Sequence, residues 1–225
     1  ELPTNKIKGF HKRFTEALPT IYDHRCSIGK AGGFFQRVEE GTWMGHVVEH
    51  VALELQTLAG MDTGFGRTRE TSDKGIYHVV YSYIVSEVGK KAGELSVDLC
   101  EKLIRGDKYD MDAIVQELKE LRERYKMGPS TASIVEEAVS RGIPFTRLNR
   151  SSLVQLGYGT NQKRIRATIT GETSSLAVDF ACDKWETKEM LENHGIPVPK
   201  GVETRHYETA LKSVKKWGYP LVVKP

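Results

Sequence analysis

Trp43-Met44-Gly45-His46-Val47-Val48-Glu49-His50-Val51-Ala52-Leu53-Glu54-Leu55-Gln56-Thr57-Leu58 is the stretch on which the reading of the chain turns. Met44, Val47, Val48, Val51, Leu55 and Leu58 recur at spacings of three and four, which sets them along one side of an α-helix over 43–58. At about 100° per residue, His46 and His50 stand about 40° apart, one turn above the other, and Glu49 lies about 60° from His46. Glu54 continues that line beyond His50. The helix thus has an apolar side and a side of imidazoles and carboxylates, and Gly60 closes it.

Two histidines at i and i+4 can chelate a zinc ion, and a carboxylate beside them can deprotonate its bound water. His46-x-x-Glu49-His50 has the order of the inverted zinc-peptidase motif, with Glu49 in the catalytic place. Read without chemistry, the same residues are the solvated side of an amphipathic helix. A zinc site also needs a third protein ligand, which the spacing does not identify. Glu54 is near in sequence, while Glu70, His78 and Glu87 have to arrive through the fold. His24, Cys26 and His78 lack metal-ligand spacing and read as structural.

Outward from the helix, residues 1–40 are mixed, with Pro3, Pro19 and a glycine group at Gly29, Gly32 and Gly33. On the other side comes a glycine-rich loop, Gly64-Phe65-Gly66-Arg67-Thr68-Arg69, whose arginines suit carboxylate binding. The β-branched and aromatic run 76–85 predicts a strand. Helices follow at 87–105 and 110–126, the second with Ile114, Val115, Leu118, Leu121 and Tyr125 on one stripe. Gly128-Pro129 stops it, giving an α+β domain over 1–127 and a second region over 128–225.

Beyond that point Gly142-Ile143-Pro144, Gly195-Ile196-Pro197 and Gly218-Tyr219-Pro220 each follow a helical pattern and precede an apolar run. Glycine closes a helix and the following proline biases its predecessor to extended geometry. Alternating short helices and strands predict an α/β layer, including a strand at Leu221-Val222-Val223. A chain that opens without Met and stops within that run reads as a fragment of a longer protein.

The 225 residues carry 33 Lys+Arg against 30 Asp+Glu, for a net charge of +3, too small and too evenly spread for a nucleic-acid binder. No apolar run approaches the roughly 20 residues of a membrane span, and no signal peptide opens the chain. The three cysteines, Cys26, Cys100 and Cys182, are far apart and lack CxxC pairing, which argues against a disulfide scaffold or a Cys-based zinc site and fits a reducing cytoplasm.

Two lysines stand out in the second region. Asp183 is the N-cap of the helix that closes at Gly195, with Glu186 as its capping-box partner. Lys184 then sits in the first turn, where a cation opposes the helix dipole and invites a phosphate. Lys224 ends an apolar strand, a costly place for an ammonium unless an anion meets it. No Walker loop or dinucleotide fingerprint is present. The basic segment Gln162-Lys163-Arg164-Ile165-Arg166 suits an anionic substrate, although its default reading is a solvated loop.

These residues carry a resemblance. Leu18-Pro19-x-x-Tyr22-x-His24-Arg25-Cys26-Ser27, Gly41-Thr42 with the helix through Asp62, and Gly64 to Thr71 resemble the N-terminal domain of the cyanophycin synthetases. Leu148-Asn149-Arg150, Leu153 to Gly159, Ala167 to Thr170, Asp183-Lys184-x-x-Thr187-Lys188, Gly195-x-Pro197-Val198-Pro199 and Gly218 to Pro225 resemble the approach to, and first part of, that family's ATP-grasp module. The second set is partly shared with glutathione-synthetase-like ligases, which stay open as an alternative.

The resemblance implies an α+β polymer-binding domain followed by the start of an α/β, glutathione-synthetase-like ATP-grasp fold. It implies an enzyme that builds a polyaspartate chain with arginine on each side chain. ATP and Mg2+ activate the C-terminal carboxylate as an acyl phosphate, aspartate attacks it, and a separate Mur-ligase-like module adds arginine. Lys184 and Lys224 match the lysines that hold ATP phosphates, and Arg67, Arg69, Arg164 and Arg166 become the polymer contacts. The complete enzyme is expected to be a cytoplasmic homo-oligomer, and this portion alone should not ligate. In some members the first domain resembles a zinc peptidase that trims polymer into primers, with Zn2+ on His46 and His50 and Glu49 as base. Members often carry glutamate where this chain has Ser82. His78, four residues away on the same strand face, lies about 13 Å off and does not replace it.

Overall fold

The structure, a computed structural model, describes residues 3–24 and 26–224. Glu1, Leu2, and the Arg25 and Pro225 quoted above, lie outside the described residues. Packing divides the chain into two units, Glu1–Ala132 with Asn149–Ser151, and Ser133–Leu148 with Ser152–Pro225.

In the first unit the mixed opening segment folds into two short helices, α1 (Phe10–Ala17) and α2 (Gly33–Glu40), joined through 3₁₀ turns at Pro19–Asp23 and Cys26–Ile28. Phe10, Phe14 and Phe34 are wholly buried, with Phe14 edge-on to Phe34 at 5.9 Å. The decisive helix is α3 (Met44–Leu58), and its predicted apolar positions Val47, Val51 and Leu55 are fully buried. Its opposite side is not solvated: Glu49, His50 and Glu54 are only 6%, 7% and 2% exposed.

A hairpin lies over that polar side. The segment expected to be a glycine-rich loop is instead largely a strand, β1 (Gly66–Glu70), because it pairs antiparallel with β2 (Tyr77–Tyr81). The predicted strand 76–85 is correspondingly shorter. Its register ends at Gly66 opposite Tyr81, and Val85 turns into the core just before the next helix. Two glycines permit the hairpin's close approach. A Cβ on Gly45 would stand 2.8 Å from the Tyr77 ring, and one on Gly66 would stand 2.5 Å from Glu49 Oε1.

Helices α4 (Ser86–Arg105) and α5 (Met111–Tyr125) complete the unit. Asp110 caps α5 by accepting the Ala113 N–H at 3.0 Å. Leu99 and Leu103 of α4 and Leu118 of α5 join α1–α3 in one apolar cluster. Two arginines tie helix C-termini across the unit: Arg122 donates to Ala59 O at 2.7 Å, and Arg13 donates to Leu103 O at 2.6 Å. Unsatisfied carbonyls at a helix end accept such donors readily.

The division between units falls within α6 (Pro129–Ser140), where the proline expected only to stop one helix opens the next. In the second unit β3 (Phe145–Arg147), β4 (Leu153–Leu156), β5 (Lys163–Arg166) and β6 (Ile169–Thr170) form a sheet in that order. Every pairing is antiparallel, not the parallel layer that helix–strand alternation suggested, because the links 148–152, 157–162 and 167–168 are too short for a crossover. The chain is thus mixed helix and sheet, of α+β type. Helices α7 (Ser175–Cys182), α8 (Lys184–Asn193) and α9 (Tyr207–Trp217) follow.

The basic segment 162–166 is also no loop. Lys163–Arg166 is β5, with Ile165 buried opposite Val154 and Arg164 and Arg166 exposed. Glycines 142, 195 and 218 all take positive φ, at 72°, 72° and 76°, yet only the first junction leads into a strand. Residues 221–224 are not a strand. Among the described residues no neighbour supplies a ladder there, and Val222 and Val223 are 81% and 93% exposed. No helix among the described residues is long and apolar enough to cross a membrane.

Leu99→Ala should lower the stability of the first unit by about 2–5 kcal/mol, read from hydrogen exchange of the slowest α3 amides. Val97→Ala on the exposed face of the same helix should change it by less than about 0.5 kcal/mol.

Candidate metal centre

The polar side of α3 is buried under the hairpin and the 3₁₀ turns, so its groups need partners inside the protein. Each finds one. Thr42 Oγ1 is 3.0 Å from His46 Nδ1. His50 Nδ1 is 2.9 Å from His24 Nδ1, and His24 Nε2 is 2.8 Å from Glu54 Oε2. Thr20 donates to the other Glu54 oxygen. Thr68 Oγ1 donates to Glu49 Oε2 at 2.6 Å.

This chain of bonds fixes a tautomer. Burial pushes the Glu54 carboxyl up, but the hydrogen bonds from His24 and Thr20 outweigh it and hold the group below the usual range, so it accepts. With His24 donating from Nε2 to Glu54 and accepting at Nδ1, His50 donates from its own Nδ1. Nε2 of His50 is left with its lone pair. Burial, with His46 and His24 beside it, brings the His50 pKa down to about 3, and Phe34 stacks on its ring at 3.7 Å. Burial likewise lowers His46, with Arg37 adding to it and Glu49 opposing. Both imidazoles are therefore neutral near pH 7, the form that ligates a metal.

The third donor comes from outside the helix. Cys26 Sγ lies 3.4 Å from His46 Nε2, and ligand atoms of Cys26, His46 and His50 all lie within 4.8 Å of one another. Spacing reads Cys26 as structural and argues against a Cys-based zinc site; the fold nonetheless sets Cys26 beside His46 and His50 in a group that could hold a metal ion. The side chain is aimed by the turn Cys26–Ile28, at whose start Cys26 holds a left-handed φ of 51° that side-chain-bearing residues seldom adopt. No spacing rule reaches from position 26 to 46. One thiol and two neutral imidazoles are a donor set suited to zinc.

The other candidates for a third ligand either make other bonds or lie outside the cleft. Glu54 supports His24, which itself backs His50 and was missed as a functional residue for the same want of spacing. The Glu70 carboxylate accepts the Gly75 N–H at 3.4 Å on the hairpin. His78 and Glu87 do not line the cleft that holds the three donors, and Ser82 Oγ accepts the Phe65 N–H at 3.2 Å.

That cleft has a volume of about 1100 Å³, and its walls mix Arg37 and Arg67 with Asp23, Asp62 and Glu70. Of the predicted polymer contacts, Arg67 lines it, and Arg69 is exposed on β1 but does not. Arg164 and Arg166 are exposed on β5 in the second unit. Lys184 is exposed at the first position of α8, whose N-cap Asp183 accepts the Trp185 and Glu186 N–H groups. Lys224 is exposed beyond the last helix.

The family described as cyanophycin synthase-like N-terminal domain matches residues 1–105. The cyanophycin synthetases of Geminocystis herdmanii and Trichormus variabilis are each 48% identical to the chain over 229 aligned residues, and that of Synechocystis sp. is 46% identical. All three matches cover 100% of this chain. The chain spans about a quarter of the length of these curated relatives, 25–26%.

His24→Ala removes the acceptor that sets the His50 tautomer and should weaken zinc affinity about 10- to 100-fold, measured by competition with a chromophoric chelator.

Proposed function

We propose, from the match of residues 1–105 to the cyanophycin synthase-like N-terminal domain family, that the first unit is a zinc-dependent peptidase working on an aspartate–arginine polymer, within an enzyme that makes the same polymer. The observation that carries this reading is the convergence of Cys26, His46 and His50 donors within 4.8 Å, with Glu49 in the same cleft. Zinc held by those three residues would supply a polarised carbonyl and an acidified water at neutral pH.

Glu49 is the proton carrier. Thr68 holds its Oε2, and the absent Cβ of Gly66 leaves the space beside Oε1 open. Oε1 takes a proton from the attacking water and returns it to the departing amine as the C–N bond breaks. His24 and Glu54 keep His50 oriented, and Thr42 does the same for His46. A cleft with walls of both charge signs suits a polymer whose residues carry carboxylates and guanidinium groups together.

Residues 128–225 are, in this proposal, the approach to an ATP-grasp ligase module, a reading supported by 48% identity along the whole chain. Lys184 and Lys224 would hold ATP phosphates with Mg2+, and Arg164 and Arg166 would contact polymer. Aspartate and arginine are the substrates of the complete homo-oligomeric enzyme.

Metal analysis should find about one zinc per chain, lost in His46→Ala and in Cys26→Ser. Glu49→Gln should keep the zinc and lose at least about 100-fold of polymer cleavage. Absence of bound metal at neutral pH would reduce the first unit to a polymer-binding module. In the enzyme of full family length, Lys184→Met with Lys224→Met should abolish ATP binding and ligation while polymer cleavage continues, measured on the same preparation.

A further inference from the structure

Among the described residues the two-stranded hairpin over α3 has no partner strand on either outer edge, and the outer edge of β1 borders the cleft. Its register shows which backbone groups are free. Thr71 N–H donates to Ile76 O at 2.9 Å, and Ser82 N–H donates to Phe65 O at 2.8 Å. In an antiparallel pair, residues that exchange hydrogen bonds alternate with residues that point away. Arg67 and Arg69, in step with Phe65 and Thr71, therefore bond to β2. Gly66, Thr68 and Glu70 turn their N–H and C=O groups to the outer edge, and all three residues line the cleft. No hydrogen bond to those outward groups occurs among the described residues.

We infer that this edge of β1 is the substrate-binding track: an extended peptide adds to it as a third strand, bonding the outward groups of Gly66, Thr68 and Glu70. The inference rests on the peptidase reading above and names how that site takes its substrate. Strand addition supplies affinity through the main chain and specificity through side chains that alternate between two faces. One face of β1 carries Gly66 and Thr68, both against Glu49, so a peptide bond paired here is delivered beside the proton carrier. The opposite face carries Arg67 and Arg69, exposed. An added strand thus meets Glu49 and the metal ligands on one side and guanidinium groups on the other. With Asp23, Asp62 and Glu70 also on the walls, the fitting occupant is a peptide bearing carboxylates and guanidinium groups, not one of a single sign.

The test uses the zinc-loaded chain carrying Glu49→Gln, which holds substrate without cleaving it. The probe is a synthetic peptide of eight aspartates, each bearing arginine on its side-chain carboxyl, followed by calorimetry. Peptides N-methylated at one backbone amide after another should alternate. At every second position affinity should fall about tenfold, and at the intervening ones it should stay within about twofold. Glu70→Pro, which removes one outward N–H and leaves the β1–β2 ladder intact, should weaken the unmodified peptide about fivefold to tenfold. Equal affinity for all the N-methylated peptides, with zinc content intact and cleavage intact in the Glu49 chain, overturns strand addition and leaves the peptidase reading standing. A chain that binds neither zinc nor peptide overturns both.

Discussion

Everything in the first unit answers to one constraint: α3 is buried on both sides, although only one of them is apolar. Carbon surface on the Val47, Val51 and Leu55 side is satisfied by packing alone. Imidazoles and carboxylates on the other side are not, because a buried polar group left without a partner costs about 1–3 kcal/mol. The chain meets the requirement with residues remote in sequence. Thr42 serves His46, Thr68 serves Glu49, and Thr20 and His24 serve Glu54 and His50. The His24–Glu54 pair that makes burial tolerable also settles which nitrogen of His50 keeps its lone pair. Stability and ligand geometry are thus the same set of hydrogen bonds.

Much of this was legible along the chain. The apolar period of α3, the pairing of His46 and His50 with Glu49, and the helices around Leu99 and Leu118 follow from spacing, because helical periodicity is a local rule. Cys26 and His24 were not legible from spacing, since they reach the site through a 3₁₀ turn whose direction depends on tertiary packing. Only the stretch Tyr22 to Ser27, carried by resemblance, pointed at them. The hairpin was half legible. Tyr77–Tyr81 has the composition of a strand, whereas Gly66–Glu70 becomes one only by pairing with it. In the second unit the glycine–proline junctions correctly marked where helices stop. Whether a strand follows depends on a neighbour to pair with, which Phe145–Arg147 has in β4 and residues 221–224 do not have among the described residues.

The two glycines under the hairpin show how little sequence a site can need for its geometry. Gly45 and Gly66 carry no chemistry, yet they bring β1 within van der Waals reach of α3 and so place Thr68 on Glu49. A substitution at either would push the sheet off the helix without touching a ligand.

The arginine pins have a wider meaning. Helix ends are ordinarily the first places to fray, but the carbonyls at the ends of α3 and α4 are gripped from 63 and 90 residues away, by Arg122 on Ala59 and Arg13 on Leu103. An end held from so far off cannot loosen on its own, because freeing it also tears contacts in α1 or α5. Partial melting is thereby suppressed, and the spacing between His46 and His50 persists until the whole unit comes apart in a single cooperative step.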